Sequence, residues 1–366
     1  MGIFGNLLLA AWTLLQLYVF GRAWTVPAIR RRIPRAAYLG VATALWAFFA
    51  LGRLLGHGAQ WRGATQVELL GLSLLATLFL CATALLAVDL VTGFGFLMRR
   101  RSLALRSWAL AAGMALALVA LVQGLRPPVV EPYEVRVPGL AANLDGTVIL
   151  ALSDLHLGSL LDGAWLDARV AQVDAEKPDL VALLGDLVEG HGAAEGALLR
   201  RLSRIRAPLG VWAVTGNHER FTSGDGTLER AGLRVLHDHG EEIAPGLFLA
   251  GIDDLTSRRR SGVAGDPVNA ALTRRPPNAT ILLSHSPLET EAAARADVGL
   301  MLAGHTHGGQ VWPFGYLVRL SYPLLAGRFQ VGAMTVLVSR GAGTWGPRMR
   351  LWSPGEILRV TLRATG

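Results

Sequence analysis

Residues 299–310 read GLMLAGHTHGGQ. A short apolar run stops at two histidines, His305 and His307, with glycines on both sides. Glycine loses more backbone entropy on ordering than any other residue, so glycines around a polar pair need a reason. One reason is an ordinary turn. The other is a backbone brought close to something that both imidazoles face. A His-x-His pair alone does not decide between the two.

The same scheme recurs upstream. TVILALSDLHLG (147–158) is a β-rich apolar run that stops at Asp154 and His156. The amphipathic stretch GAWLDARVAQVDAEKP (163–178) follows and reads as a helix closed by Lys177-Pro178. DLVALLGDLVEG (179–190) ends on Asp186, LLRRLSRI (198–205) supplies another helix, and GVWAVTGNHE (210–219) ends on Asn217 and His218. TILLS leads into His285. Strand alternating with helix predicts a buried, largely parallel sheet with covering helices. Further strands are expected at 247–252, 280–284, 298–303, 334–338 and 356–362. Functional residues of such sheets gather beyond the carboxyl ends of strands. Five of the nine histidines fall there: 156, 218, 285, 305 and 307.

Charge divides the chain of 366 residues in two. Of 35 basic and 27 acidic residues, 12 and 2 precede residue 127, so the first third carries +10 and the remainder −2 of the net +8. A near-neutral second part argues against a nucleic-acid partner, which needs clustered positive charge. The single cysteine, Cys81, excludes an intrachain disulfide and a thiolate metal site.

Apolar runs at about 6–21, 36–56, 67–98 and 107–125 each approach the roughly 17–20 residues that a spanning helix needs. The first lacks the basic start of a signal peptide, so four retained transmembrane helices are expected over 1–126. Arg22, Arg30, Arg31, Arg32 and Arg35 follow the first run, and Arg99, Arg100, Arg101 and Arg106 follow the third. Only Arg53 and Arg62 lie between the second and third. Nine arginines against two place the first and third loops in the cytoplasm and everything after residue 126 outside it, in a multi-pass cell-membrane protein. Glu68 and Asp89 stand near the ends of the third run, where pairing with an arginine is the expected role. Residues 127–146, overlapping the proline-rich RPPVVEPYEVRVPG (126–139), read as a linker running into a first strand, and 147–366 as the second domain.

Carboxylates, imidazoles and an amide oxygen suit first-row divalent ions such as Mn, Fe, Zn or Co. The set is too nitrogen-rich for calcium and too large for one tetrahedral zinc. Seven ligands point to two metals sharing a carboxylate, an arrangement suited to in-line displacement at phosphorus.

The ordered blocks DLH (154–156), GD (185–186), GNHE (216–219), SHSP (284–287) and GHTH (304–307) resemble the calcineurin-like metallophosphoesterase superfamily over about 147–362. GHTHGGQ and the closing RMRLWSPGEILRVTL resemble its branch with N-terminal membrane helices. The resemblance implies an α/β four-layer domain, two mixed sheets face to face with helices outside. It implies that Asp154, His156, Asp186 and His307 hold one metal, and that Asp186, Asn217, His285 and His305 hold the other. His218, beside a ligand, is then the residue that protonates the leaving oxygen or stabilises its charge.

The expectation is a membrane-anchored hydrolase that cleaves a phosphomonoester, phosphodiester or pyrophosphate bond by attack of a metal-bridging hydroxide. Its partners are the lipid bilayer and a phosphoester substrate, with a lipid substrate left open. The family includes UDP-diacylglucosamine pyrophosphatases, whose cytoplasmic substrate conflicts with the arginine count. A phosphate-sensing domain of a transporter and a non-catalytic metal-binding scaffold remain as alternatives. His191, His237 and His239 read as loop and surface residues, and TSRRRSG (256–262) as a solvated loop rather than a phosphate clamp. Arg220 is close enough to GNHE to reach a phosphate. Asp253 and Asp254 fit either loop bracing or support of the ligands from behind, and neither is assigned a role. The segment WPFGYLVRLSYPLLAG (312–327) fits either a membrane-interface loop or packing over the second sheet.

Overall fold

The structure is a computed structural model and describes residues 3–56, 63–158, 161–189, 193–222 and 226–365. It divides into two compact units, Met1–Leu125 with Gly346–Leu351, and Arg126–Trp345 with Trp352–Gly366.

The first unit is helical: α1 (Ile3–Ala23), α2 (Pro27–Arg32), α3 (Arg35–Gly56), α4 (Ala64–Val91) and α5 (Arg99–Leu125). Three stretches, Arg35–Gly52, Gln66–Val91 and Arg99–Leu125, are long and apolar enough to cross a membrane. Of the four expected spans, α1 is not among these three. The third apolar run is also shorter than expected. Its helix stops at Val91, because Gly93 and Gly95 take left-handed φ values of 55° and 96° that interrupt a right-handed helix. The arginines at 99–106 are helical rather than a loop, since arginine is a good helix former and no Gly or Pro breaks the first turns of α5. The loop carrying Arg62 lies outside the described residues.

Asp89 is fully buried in α4, where it pairs with Arg22 Nε at 2.6 Å and Arg106 Nη2 at 2.8 Å and accepts from Tyr18 Oη at 2.8 Å. One carboxylate thus serves three partners on α1 and α5. Removing it would leave two guanidinium groups without their counter-charge. Cys81 marks a close helix approach: a Cβ on Gly113 would meet its Cα at 2.6 Å. Gly346–Leu351, assigned by sequence to the second domain, groups with these helices, and Arg350 N–H donates to Ala120 O at 2.8 Å.

The second unit follows the order β1 (Val129–Val137), β2 (Val148–Leu152), α6 (Gly163–Ala175), β3 (Leu180–Leu183), α7 (Ala193–Leu202) and β4 (Val211–Ala213). Next come α8 (Asn217–Thr222), α9 (Thr227–Arg230), β5 (Arg234–Val235), β6 (His239–Ala244), β7 (Leu247–Gly251), α10 (Leu255–Arg260) and α11 (Pro267–Leu272). It ends with β8 (Ala279–Leu283), α12 (Thr290–Arg295), β9 (Leu300–Ala303), α13 (Gly315–Val318), β10 (Gly327–Val331), β11 (Met334–Val338) and β12 (Glu356–Ala364). Among the described residues these strands make two six-stranded sheets, β1-β12-β2-β3-β4-β5 and β10-β11-β9-β8-β7-β6. Both are mixed. β2, β3 and β4 run parallel, as do β7, β8, β9 and β11, while β12–β2, β10–β11 and β6–β7 are antiparallel.

Alternation along each strand builds the layers. Ile149, Ala151, Leu180 and Ala182 of one sheet share a core with Leu249, Ile281, Leu300 and Leu302 of the other. The intervening Leu150, Leu152, Val181 and Leu183 face outward onto Leu166, Val173, Leu199 and Leu202 of α6 and α7. On the opposite side Ala250, Leu282 and Met301 pack with Val268, Ala271 and Ala293 of α11 and α12. Two sheets with helices outside is the expected layering, and it brings the carboxyl ends of both parallel sets to one edge.

Candidate metal centre

Each chemistry-bearing residue sits where a parallel strand ends. Asp154 and His156 follow β2, Asp186 follows β3, and Asn217 and His218 open α8 after β4. From the other sheet come His285 after β8 and His305 and His307 after β9. Asp154, His156, Asp186, His305 and His307 all have left-handed backbones, with φ of 53°, 45°, 51°, 71° and 51°. Such geometry costs non-glycine residues on the order of 1–3 kcal/mol each and persists where function over-determines it. Glycine lets the chain in close: a Cβ on Gly304 would lie 2.7 Å from Asp154 Oδ2. Gly304 therefore answers to a close approach, whereas Gly308 and Gly309, with φ of 59° and 76°, serve the turn that follows His307.

Two groups of ligand atoms result. In the first, His156 Nε2 and His307 Nε2 are 3.0 Å apart, with Asp154 Oδ1 at 3.9 and 3.3 Å from them. In the second, Asp186 Oδ2 is 3.3 Å from His285 Nε2, which is 3.1 Å from His305 Nδ1. Asp186 Oδ2 also stands 3.9 Å from His156 Nε2, between the groups. A third cluster joins His156 and His218 to Glu189. The residues present fit divalent cations. Buried Asn217 Oδ1 and Asp154 Oδ1 have no hydrogen-bond partner among the described residues, which is costly unless a cation takes their lone pairs. Paired imidazole nitrogens with carboxylate oxygens are also the donors that first-row ions favour.

Supporting contacts fix the rings. His285 Nδ1 faces Leu184 O at 2.8 Å, leaving Nε2 for the site. His156 Nδ1 faces Glu189 at 2.9 Å, and His305 Nε2 faces Tyr322 Oη at 2.8 Å, leaving Nδ1 inward. Glu219, buried, accepts from the backbone N–H groups of Asp186, Leu187, Val188 and Gly216 at 2.5–3.3 Å. This carboxylate holds the turns after β3 and β4 together. Asp254 caps α10 through Ser257 N–H and accepts from Ser286 Oγ at 2.7 Å, while Asp253 accepts from Thr215 Oγ1 at 2.9 Å. Loop bracing is thus their role. Glu189, Glu219 and Tyr322 were not assigned from sequence. Glu219 could have been found as the fourth letter of GNHE and Glu189 as the acid three residues past Asp186. Tyr322 left no local signal.

Electrostatics follow from this packing. Burial disfavours charge on His156, but Glu189, backed by Asp186 and Asp154, outweighs it and raises the group to about 9. Burial, with His285 beside it, pushes His305 down to about 4, so His305 is a neutral donor. Burial also lowers His218, against the pull of Asp186.

The remaining candidates stand apart. His237 is exposed but bonded to Asp253 at 2.7 Å and Glu229 at 2.6 Å, and His239 lies on β6. Residues 256–260 belong to helix α10 rather than to a loop. His191 and the Arg220 side chain lie outside the described residues.

The family model Calcineurin-like phosphoesterase matches residues 147–309, a span that contains all seven candidate ligands and His218. The chain is similar to the bovine (Bos taurus) transmembrane protein with metallophosphoesterase domain, at 33% identity over 90% of this chain and 80% of that one. It is also similar to an uncharacterized metallophosphoesterase of Aquifex aeolicus, at 33% identity over 65% of this chain and 92% of the relative. A solved dimetal phosphatase from Danio rerio is similar at a TM-score of 0.37 and 12% identity, over 54% of this chain and 88% of the other. With carboxylates and imidazoles at its strand ends, the family match and the bovine relative, the chain belongs to the calcineurin-like phosphoesterase family and is a metal-dependent phosphoesterase.

Proposed function

We propose that this chain is a membrane-anchored phosphoesterase whose centre takes two divalent cations shared through Asp186. The observation that carries the reading is the position of Asp186 Oδ2, 3.3 Å from His285 Nε2 on one side and 3.9 Å from His156 Nε2 on the other. In this reading Asp154, His156 and His307 complete one site, and Asn217, His285 and His305 the other. When bound, the cations supply Lewis-acid charge and a nucleophilic hydroxide at neutral pH. His218 contributes the protein's own chemistry. Its Nε2 lies 3.9 Å from Asp186 Oδ2 and its Nδ1 3.6 Å from Glu189, so the ring stands beside the carboxylate that both cations would share. From there it protonates the departing oxygen or stabilises its charge. Manganese, iron, zinc and cobalt all suit this donor set.

The anchor in this proposal comprises four spans, with α1 joining the three apolar helices, and the catalytic unit lies outside the cytoplasm. Arg22 and Arg106 are engaged by Asp89, which leaves seven of the nine arginines near the first and third helix connections against two near the second. A lipid-borne phosphoester is the favoured substrate class. Trp312, Phe314, Tyr316, Leu317 and Leu320, which follow the second ligand group in the chain, are exposed, and amphipathic rings of this kind seat at a membrane interface. The test is hydrolysis by the metal-loaded chain in detergent, with p-nitrophenyl phosphate, bis-p-nitrophenyl phosphate and phospholipid side by side. Metal-dependent release from at least one is expected. No release from any, with both cations bound, would favour a sensing or scaffold role.

A further inference from the structure

We propose that the cleft lined by Thr256, Arg259, Arg260, Leu288, Ser321 and Tyr322 is a second anion subsite, which takes a further phosphoryl group of the substrate beside the one that is cleaved. The proposal rests on the phosphoesterase reading above and names the substrate class for it. The cleft has a volume of about 160 Å³ and shares a wall with the metal centre. That wall is Tyr322. Its ring packs edge-on against His305, with centroids 4.7 Å apart, and its Oη lies 2.8 Å from His305 Nε2. One side chain therefore separates a candidate ligand from the cleft.

The lining chemistry selects an anion. It offers two guanidinium groups, three hydroxyls and one leucine, and no carboxylate. Guanidinium groups bind phosphoryl oxygens through charge-assisted, two-pronged hydrogen bonds. Arg259 reaches Glu289 at 3.5 Å, but both side chains are largely exposed, and an ion pair of that kind is readily exchanged for a ligand. The floor is braced. Thr256 Oγ1 lies 3.1 Å from Tyr322 Oη and 3.1 Å from Ser286 Oγ, which donates to buried Asp254. Asp254 also caps α10, the helix that carries both arginines. A substrate with its scissile phosphoryl at the ligand atoms would thus meet a positive, hydroxyl-lined recess past Tyr322. The matching class is a compound with two adjacent phosphoryl groups, borne by a lipid or by a soluble alcohol.

The test compares the full chain with R259Q/R260Q, both Mn²⁺-loaded in detergent, by calorimetric titration with methylphosphonate, methylenebisphosphonate and dodecyl diphosphate. Chelation in solution is common to both proteins and cancels in the comparison. The wild type is expected to prefer the bisphosphonate over the monophosphonate by about tenfold, and the variant by about twofold or less. R259K/R260K should retain part of the preference, because charge survives while the planar fork is lost. Dodecyl diphosphate should show the same dependence, and any added affinity over the bisphosphonate reports a contribution from the chain of the lipid. Both arginines are exposed, so the glutamine variant is expected to fold. An unaltered bisphosphonate preference in R259Q/R260Q overturns the subsite. Wild-type inertness toward p-nitrophenyl phosphate, bis-p-nitrophenyl phosphate and phospholipid alike would instead count against the phosphoesterase reading, and the titration can be read in either case.

Discussion

Asp186 Oδ2 and His285 Nε2 lie 3.3 Å apart, and they come from different sheets, Asp186 after β3 and His285 after β8. The two sheets that share a hydrophobic core therefore also share a polar edge, where a carboxylate from one meets an imidazole from the other. Packing and chemistry are linked at this point: whatever shifts one sheet against the other shifts the candidate ligand atoms.

Glu219 is the first place to test that link. It collects four backbone N–H groups from two turns, and without it those donors are buried unmet. Glu219→Ala should cost on the order of 3 kcal/mol, with Glu219→Gln recovering part of it. The urea midpoint of the detergent-solubilised chain, followed by tryptophan fluorescence, reads this out. A midpoint equal to wild type would remove Glu219 from the frame of the site.

The neighbouring His218 should behave differently. His218→Ala should keep folding and metal content but lower hydrolysis by roughly 10²–10⁴-fold, the range of a positioned acid. The loss should shrink for esters with very good leaving groups, which need no proton. Equal losses on poor and good leaving groups would assign His218 to binding alone.

Much of this site was legible in the sequence because its residues are chemically conspicuous and stand where apolar runs end. Runs such as ATILL and MTVLV are buried strands in the interior of their sheet, so hydrophobicity alone marks them. HGEEIA and GRFQV escaped because they are edge strands, exposed on alternate residues or more, with polar side chains that read as loop. The start of α5 escaped for the opposite reason, as its arginines resemble a cytoplasmic loop while favouring helix. Glu189 and Tyr322 act on His156 and His305 across the fold, and no spacing along the chain records such contacts.

The orientation of the membrane helices gives a topological prediction. A reporter enzyme that works only outside the cytoplasm should be active when fused at the carboxyl terminus and silent when fused after Arg101. The reverse pattern would put the metal centre in the cytoplasm and bring nucleotide-activated lipids forward as substrates.

His237 supplies a pH dependence away from the ligands. Its bond to Asp253, opposed by burial and reinforced by Glu229, raises the imidazole to about 9. Because the folded value lies above the ordinary 6.5, its stabilisation is complete below about 6.5 and is lost as pH rises through about 9. The groups are partly exposed, so the effect should be about 1 kcal/mol or less. His237→Gln should flatten the fall in melting temperature between pH 7 and 9.5 relative to wild type. An identical slope in the two proteins would deny the triad any net contribution.

The most direct test of the shared centre is the metal content of Asp186→Asn, measured by elemental analysis on the folded, detergent-purified chain. If one carboxylate serves both cations, its loss disturbs both sites. The variant should hold about one divalent ion per chain or fewer and show no hydrolysis, against about two ions in the wild type. Two full equivalents in a folded Asp186→Asn protein would contradict the sharing of Asp186.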